Sequence, residues 1–514
     1  MSAAVQLAAL TAGVLDTPRD VVVTDVTLDS RMVGRGALFL ACRGARHHAV
    51  QFAPQALARG ARAVLYEAAE PGESLPIDPA SLTSGGPAFV AAVPRLTHHV
   101  GEIADRFFGS PSRALSVAGV TGTNGKTTCA FLLAQALTRF GRIAGYMGTL
   151  GWGLPDDVVP FGMTTADVVT VHRQLAELKG LGAECVGMEV TSHALEQTRV
   201  DGVRFHLAAF TNLTRDHLDY HGSMQAYGAA KARLFARPEL TARIINVDDP
   251  FGLELARQMP RGARLILTSR LERGTSLAPE LAASEYLHAR RLEMLHSGLT
   301  LHIDSSWGDL ELSVPLIGEF NADNVLTVLG MLLAQGVPLK RAAAVLATCA
   351  APPGRMEVIR GARAGALAIV DFAHTPDALA KALQAARAHT TGRLRVVFGC
   401  GGDRDVGKRP LMGAIAERLA DELVLTDDNP RSEDPRRIVA DIRAGIARET
   451  PVQIEHDRAA AIRGALARSS AGDVVLIAGK GHEGYQIYGT ETRAFSDQQV
   501  ALACFETAAQ ADQA

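Results

Sequence analysis

Short continuous apolar runs alternate with longer stretches of helical periodicity along most of this chain. Between residues 111 and 349 the runs Leu115–Val120, Ile143–Met147, Cys185–Met188, Leu207–Phe210 and Arg243–Val247 are each followed by a helical segment. That alternation predicts a mainly parallel sheet with helices on both faces. From Leu292 to Pro315 the pattern changes to apolar and polar residues in turn, broken at His296-Ser-Gly298 and Ser305-Ser-Trp-Gly308, which predicts hairpin strands added to the same sheet. The two prolines and glycine of Ala351-Pro-Pro-Gly-Arg355 cannot continue a helix and read as a linker. Beyond it, Leu367–Val370, Leu394–Phe398, Leu423–Leu425 and Val474–Ile477 are unbroken apolar runs separated by helices, the mark of a doubly wound, Rossmann-like sheet. Before residue 111 the runs Ala37–Ala41 and Ala63–Tyr66 predict a small α/β domain. The expectation is an α/β chain of three domains, 1–110, 111–349 and 350–514.

Composition narrows the class without changing this picture. The 514 residues are 47% hydrophobic and 21% charged, ordinary for a globular protein. Lys and Arg number 52 against 55 Asp and Glu, so no basic surface supports nucleic-acid binding. The six cysteines are scattered without C-x-x-C spacing, which indicates neither a disulfide framework nor a zinc site and fits a reducing compartment. Met1–Leu10 reads as a helix, lacks a basic flank and is too short to span a bilayer. A cytoplasmic, monomeric protein without membrane insertion is expected.

The first chemistry appears where the run ending at Val120 meets Thr121-Gly-Thr-Asn-Gly-Lys-Thr127. Glycines let backbone N–H groups approach phosphate oxygens, a helix beginning near Lys126 presents its positive end, and the lysine ammonium reaches the terminal phosphates. Thr127 supplies a hydroxyl for magnesium. The usual phosphate-loop spacing wants glycine where this chain has Val120, so this is a variant carrying Gly119, Gly122 and Gly125. Gly122, Thr123, Asn124, Gly125, Lys126, Thr127 and Thr128 are therefore candidate ATP contacts. Glu189 closes the next strand, at the place of a magnesium-coordinating acid in many phosphate-loop proteins. His217, in Thr211-Asn-Leu-Thr-Arg-Asp-His217, is a candidate for a second cation, although a loop histidine more often serves a hydrogen bond. Lys231, within a helical stretch, reads as an ordinary exposed lysine.

Four strands of the last domain end in polar clusters: Asp371-Phe-Ala-His-Thr-Pro376, Gly399-Cys-Gly-Gly-Asp-Arg404, Asp427-Asp-Asn-Pro-Arg431 and Gly479-Lys-Gly-His-Glu483. Open α/β sheets bind ligands at the carboxyl ends of their strands, so these clusters should converge on one face.

Taken together, Thr121–Thr127, Glu189-Val-Thr-Ser-His193, Thr211–His217, Lys231, Gly318-Glu-Phe-Asn-Ala-Asp-Asn324, Gly354-Arg-Met-Glu357 and Asp371-Phe-Ala-His374 resemble the Mur ligase family over nearly the whole chain. These are ATP-dependent enzymes that extend the peptide of a bacterial cell-wall precursor by one amino acid. The resemblance implies a UDP-binding N-terminal domain, a central ATPase and a C-terminal domain that receives the amino acid. It implies that Lys231 is carbamylated and joins Thr127, Glu189 and His217 in holding magnesium, with Lys126, Glu189, His217 and Lys231 as the catalytic set. Asn321 and Asn324 match adenine-side residues, Arg355 a γ-phosphate contact and Asp371 a ribose contact. Ser30, Thr164, Thr165, Thr191, Gln197 and Arg199 match positions that contact the UDP-linked dipeptide. Met163 and Gly44-Ala-Arg-His47 depart from relatives on that side.

Within the family, Asp428-Asn-Pro-Arg431 is the form found in enzymes that add meso-diaminopimelate to UDP-N-acetylmuramoyl-L-alanyl-D-glutamate. The chemistry is legible, because diaminopimelate exceeds lysine by one carboxylate and a guanidinium grips a carboxylate bidentately. By the same resemblance Arg404, Asp428, Asn429, Pro430, Arg431, Gly479 and Glu483 hold that amino acid, Glu483 on an ammonium. Competing readings are a lysine-adding or folylpolyglutamate synthetase-like ligase and a phosphate-loop NTPase switch.

Overall fold

The apolar runs become strands close to their expected bounds in a computed structural model that describes residues 4–44, 47–83, 88–260, 262–271, 281–360, 366–447 and 451–511. Ala45 and Arg46 of the departing Gly44–His47 segment lie outside the described residues. By contact density the chain divides into two units. The first comprises Met1–Thr123, Gly141–Ala209 and Leu213–Arg243; the second comprises Asn124–Phe140, Phe210–Asn212 and Ile244–Ala514.

In the first unit, Asp25–Thr27, Ala37–Ala41, Ala63–Glu67 and Phe89–Val93 form a four-stranded sheet in that order, all parallel. The helix Val100–Phe107 buries Val100, Ile103, Ala104 and Phe107 against it, the i, i+3, i+4, i+7 stripe of an amphipathic helix. The strands Asp157–Val159, Gly151–Leu154, Ala144–Gly148, Cys185–Glu189, Ser116–Thr121 and Leu207–Phe210 lie side by side in that order. Cys185–Glu189 pairs in parallel with both Ala144–Gly148 and Ser116–Thr121, and is buried along its whole length. The helix Met224–Phe235, which carries Lys231, starts at Ser223, whose hydroxyl accepts the N–H of Ala226.

One expectation changes here. The N-terminal segment is not helical throughout: Val5–Gln6 pairs antiparallel with Val22–Val23, and only Leu7–Leu10 is helix. A partner strand whose paired residues lie 16 and 18 positions away in the chain overrides local helical preference, as tertiary context routinely does.

In the second unit the hairpin strands appear as Glu285–Leu295, Gly298–Ser305 and Leu310–Val314, antiparallel, following Leu265–Ser269. The first is longer than its alternation predicts because a bulge at Ala289/Arg291 resets the side-chain period. The C-terminal sheet runs Glu357–Ile359, Leu367–Asp371, Val474–Ala478, Leu394–Phe398, Glu422–Leu425, Val452–Ile454, parallel apart from its first strand. All four strands that precede the polar clusters are therefore neighbours. Helices Pro376–Ala388 and Lys408–Leu419 pack on each other and, with Pro435–Arg443, bury the apolar core on one face of this sheet; Arg458–Ala467 and Asp497–Ala511 cover the other.

Candidate active site

In the first unit, Ser116–Thr121 delivers the chain into Gly122, at φ +149°, and Thr123. Lys231 is 1% exposed, and its Nζ donates to the Gly122 carbonyl at 2.8 Å and lies 4.3 Å from the centre of the Tyr227 ring. The Tyr227 hydroxyl in turn is 3.2 Å from Thr123 Oγ1. Burial pushes the Tyr227 phenol up, so it stays protonated. The lysine that the sequence reads as solvent-exposed is thus packed beneath the glycine-rich turn.

Glu189, also 1% exposed, ends its strand beside Gly148. Oε1 accepts from the Tyr146 hydroxyl at 2.6 Å and from Thr149 N at 2.8 Å, while Thr149 Oγ1 donates to Oε2 at 3.2 Å. Gly148 is required there, since a Cβ would lie 2.1 Å from Glu189 Oε1. A buried carboxylate oriented in this way suits a hard oxygen ligand of a divalent cation. His217 sits in the left-handed region at φ +52°, half-exposed, 4.8 Å edge-to-face from His193. Burial, then the neighbouring His217 and His221, holds His193 below the ordinary imidazole range. Among the described residues no group of three or more His, Cys, Asp or Glu side chains is arranged to hold a metal.

The residues expected on the UDP-dipeptide form two groups in this unit. Thr165 Oγ1 donates to the Glu189 carbonyl at 2.9 Å, Thr164 Oγ1 is 3.1 Å from Thr149 Oγ1, and Arg199 donates to the Thr165 carbonyl at 3.1 Å and to Gln197 Oε1 at 2.5 Å. Thr191 caps the helix Ser192–Glu196. Thr164, Thr165, Gln197 and Arg199 thus crowd the strand end that holds Glu189. Ser30 lies elsewhere, bonded to Gln55 at 2.8 Å and lining a cavity of 1020 Å³ with Asp25, Phe161 and Arg173. Phe161 also lines the small cleft at Thr164 and Thr165.

The second unit holds the rest of the glycine-rich segment. Asn124 is gripped on both sides: its N–H donates to Asn212 Oδ1 at 3.0 Å, and its carbonyl accepts from Thr211 Oγ1 at 2.6 Å. Gly125, at φ +85°, lies against Asn324, whose Oδ1 would be 2.3 Å from a Cβ. Lys126 and Thr127 then open the helix Lys126–Phe140, with Thr127 and Thr128 nearly buried. Asn324 donates to Asn321 Oδ1 at 2.8 Å, and Asn321 donates to the Ile317 carbonyl at 2.7 Å. Both asparagines are therefore buried under the cradle and bonded to each other. Arg355 lies over the Phe372 ring at 5.2 Å, and its Nε is buried with no hydrogen-bond partner among the described residues. An orphaned guanidinium N–H fits a position that receives an anion. Burial pushes the neighbouring Asp371 carboxyl up to about 6, against the pull of the Met356 N–H and the Arg355 charge.

The four polar clusters do converge. Gly479 N donates to the Asp371 carbonyl, Lys408 Nζ to the His374 carbonyl, and Gly402 N to the Asn429 carbonyl. Arg431 occupies the left-handed region at φ +55°, with Nη1 on the Gly402 carbonyl at 2.8 Å. Its backbone is pinned by a later hairpin, Tyr485–Tyr488 with Glu491–Ala494: Arg431 N donates to the Ile487 carbonyl and Gly489 N to the Arg431 carbonyl. Asp428 Oδ2 faces Gly479, where a Cβ would lie 2.7 Å away. Asn429 Nδ2 donates to Glu483 Oε2 at 2.9 Å. Arg404 stands exposed on the adjoining turn, its Cγ beside Gly401. Behind this face the buried Arg409 ties Glu433 and Asp441 together, and Glu433 accepts the N–H of Asp403 at 2.6 Å.

Sequence reasoning misses the residues that hold these groups in place. Tyr146, Thr149 and Tyr227 carry no motif, and their roles arise only from strand pairing and helix packing. Lys480 stands inside a noted cluster, yet a lysine after a strand ordinarily points to water.

Three family profiles match in order: the Mur ligase family catalytic domain over residues 22–107, the Mur ligase middle domain over 120–332, and the Mur ligase glutamate ligase domain over 354–481. The chain belongs to the Mur ligase family. It is 48% identical over 486 residues to the UDP-N-acetylmuramoyl-L-alanyl-D-glutamate–2,6-diaminopimelate ligase of Xanthomonas campestris pv. campestris (strain 8004), covering 94% of each. It is 47% identical over 484 residues to the protein of the same name from Xylella fastidiosa (strain 9a5c), again covering 94% of each. A solved structure of a ligase of that name matches with a TM-score of 0.73 at 33% identity, over 99% of this chain and 100% of the other.

Proposed function

We propose that this Mur ligase is an ATP-dependent amide-forming enzyme that joins meso-2,6-diaminopimelate to UDP-N-acetylmuramoyl-L-alanyl-D-glutamate in cell-wall precursor synthesis, releasing ADP and phosphate. The observation that carries the reading is the convergence of the turns bearing Arg431, Asn429 and Glu483 at the carboxyl ends of the C-terminal strands, in a chain whose relatives bear that ligase name. Residues 1–110 take the UDP end, 111–349 the ATP and 350–514 the amino acid, within a single chain working in the cytoplasm.

A carboxylate is a poor acyl donor, so the terminal phosphoryl group of ATP passes to the precursor's free carboxylate. The amine of diaminopimelate attacks that acyl phosphate, and phosphate leaves as the amide forms. Two anions must approach one another, and the chain offsets their repulsion with Lys126, the loop N–H groups and Arg355. Magnesium, when bound, screens the phosphate oxygens; Thr127, Glu189, His217 and a carbamylated Lys231 are the residues that would hold it. Carbamylation would turn the Lys231 amine into an acidic group, and the packing of Lys231 beside Gly122 supports a role at the phosphate turn. Thr164, Thr165, Thr191, Gln197 and Arg199 orient the peptide, Ser30 the nucleotide end, and Asn321 with Asn324 the adenine side. Arg431 takes the far carboxylate as a guanidinium fork, Glu483 an ammonium, and Arg404 with the Asp428–Pro430 backbone completes the grip.

The test is incubation with ATP, magnesium, the UDP-dipeptide and single diamino acids, followed by mass spectrometry. Diaminopimelate alone should yield a product heavier by its residue mass, with one ADP per amide. A lysine product of equal yield would overturn the assignment, and nucleotide hydrolysis indifferent to any amine would point to a switch.

A further inference from the structure

Lys480 is completely buried, and the steps above give it no task. A buried ammonium persists only where hydrogen-bond partners replace water, so the identity of those partners is informative. Its Nζ donates to Asn429 Oδ1 at 3.0 Å and to Glu483 Oε2 at 3.1 Å, and it lies 5.5 Å from the centre of the Tyr485 ring. Asn429 closes the triangle through Nδ2, which donates to the same Glu483 Oε2 at 2.9 Å, while its Oδ1 also accepts from Ile487 N at 3.1 Å. The two donors both land on Oε2; Glu483 Oε1 accepts no hydrogen bond among the described residues.

The backbone leaves Lys480 no room to move. Gly479, at φ +115°, closes onto Asp428, and Gly481, at φ +53°, closes onto Phe372, where a Cβ would lie 2.6 Å from the Phe372 Cβ. The lysine is thus wedged between two turns shaped by glycine, with its charge aimed at two residues assigned to the incoming amino acid.

We propose that Lys480 is a positioning residue for diaminopimelate, holding Asn429 and Glu483 in one rigid unit so that Glu483 Oε1 is left to accept a substrate ammonium. This rests on the ligase reading above. A free glutamate side chain loses rotamer freedom when it binds; one already held loses less, and affinity rises accordingly. Lys480 touches no reacting atom, so its effect runs through the amino-acid subsite and spares ATP.

The experiment is steady-state kinetics on the full chain with Lys480→Met, Glu483→Gln and the double variant, using diaminopimelate and 2-aminopimelate, which lacks one ammonium. Lys480→Met should raise the KM for diaminopimelate by about 10- to 100-fold, the range for a lost hydrogen bond to a charged group. The KM values for ATP and UDP-dipeptide should stay within about twofold, and preference for diaminopimelate over 2-aminopimelate should collapse to the Glu483→Gln level. The double variant, which leaves no unpaired buried charge, should bind diaminopimelate no worse than Glu483→Gln alone. Lowered melting with unchanged KM and discrimination would overturn the proposal, as would a double variant whose losses multiply. No diaminopimelate turnover by the wild-type protein would reject the ligase reading itself, a failure distinguishable from the other two.

Discussion

Lys231 and Lys480 are both shut away from water, and their settings differ in a way that divides their chemistry. Lys480 donates to a carboxylate deep in the amino-acid face of the C-terminal sheet. Lys231 donates to the Gly122 carbonyl and lies over the Tyr227 ring, at the glycine-rich turn. One lysine braces a substrate subsite. The other is set at the phosphate turn, where the proposed carbamate would supply an acidic group. Burial alone therefore does not define what a lysine does; the element it is packed under does.

Breaking that contrast should produce the largest effect at Lys231. Lys231→Ala should lower kcat by about a hundredfold or more, the scale of losing one electrostatic group in a phosphoryl-transfer site, while Lys231→Glu, which restores an acidic side chain, should retain more. Equal losses in the two variants would remove the carbamate from the account. The contrast is sharpened by labelling: protein equilibrated with carbon-13 bicarbonate should show a carbamate carbon signal that disappears in Lys231→Ala and survives Lys480→Met.

A smaller and more selective effect belongs to the amino-acid edge. Arg431→Ala should raise the KM for diaminopimelate by roughly 10- to 100-fold with little change for ATP, since a bidentate carboxylate contact is lost on one substrate only. Lysine, which lacks that carboxylate, should gain relative to diaminopimelate in the same variant. Tyr146→Phe should act on the other side of the reaction. It deletes the 2.6 Å hydrogen bond to Glu189 and should raise the magnesium concentration needed for half-maximal rate by a few-fold, leaving the KM for diaminopimelate alone.

The smallest effect is one of stability. Burial raises the Asp371 carboxyl from 3.8 to about 6, so the folded protein binds this proton more tightly than the unfolded chain. Its contribution to stability is therefore present at low pH and lost as pH rises through that window. Asp371→Asn should flatten the dependence of denaturation midpoint on pH between about 4 and 6; an unchanged slope would mean the carboxyl titrates normally.

The strands were legible because fully buried parallel strands are written as unbroken apolar runs, and the bounds at Leu207–Phe210 and Leu394–Phe398 agree to the residue. Convergence of the four polar clusters was legible too, since it follows from strand direction alone. The supports were not. Tyr146 and Glu189 are 43 residues apart, and Arg431 is held by a hairpin that begins at Tyr485. Such pairings depend on register and closure that no local pattern encodes. Lys231 and Lys480 were hidden for a different reason: the residue type most often found in water gives no local sign of burial, and only the packing around it does. The N-terminal strand Val5–Gln6 was hidden by its own helical preference.

The most direct test of the account is the fate of oxygen in the precursor's terminal carboxylate. That group, enriched in oxygen-18 and supplied with ATP, magnesium and diaminopimelate, should pass one labelled atom into each phosphate released, because the oxygen that attacks the terminal phosphorus departs with it. Unlabelled phosphate accompanied by amide formation would contradict the account.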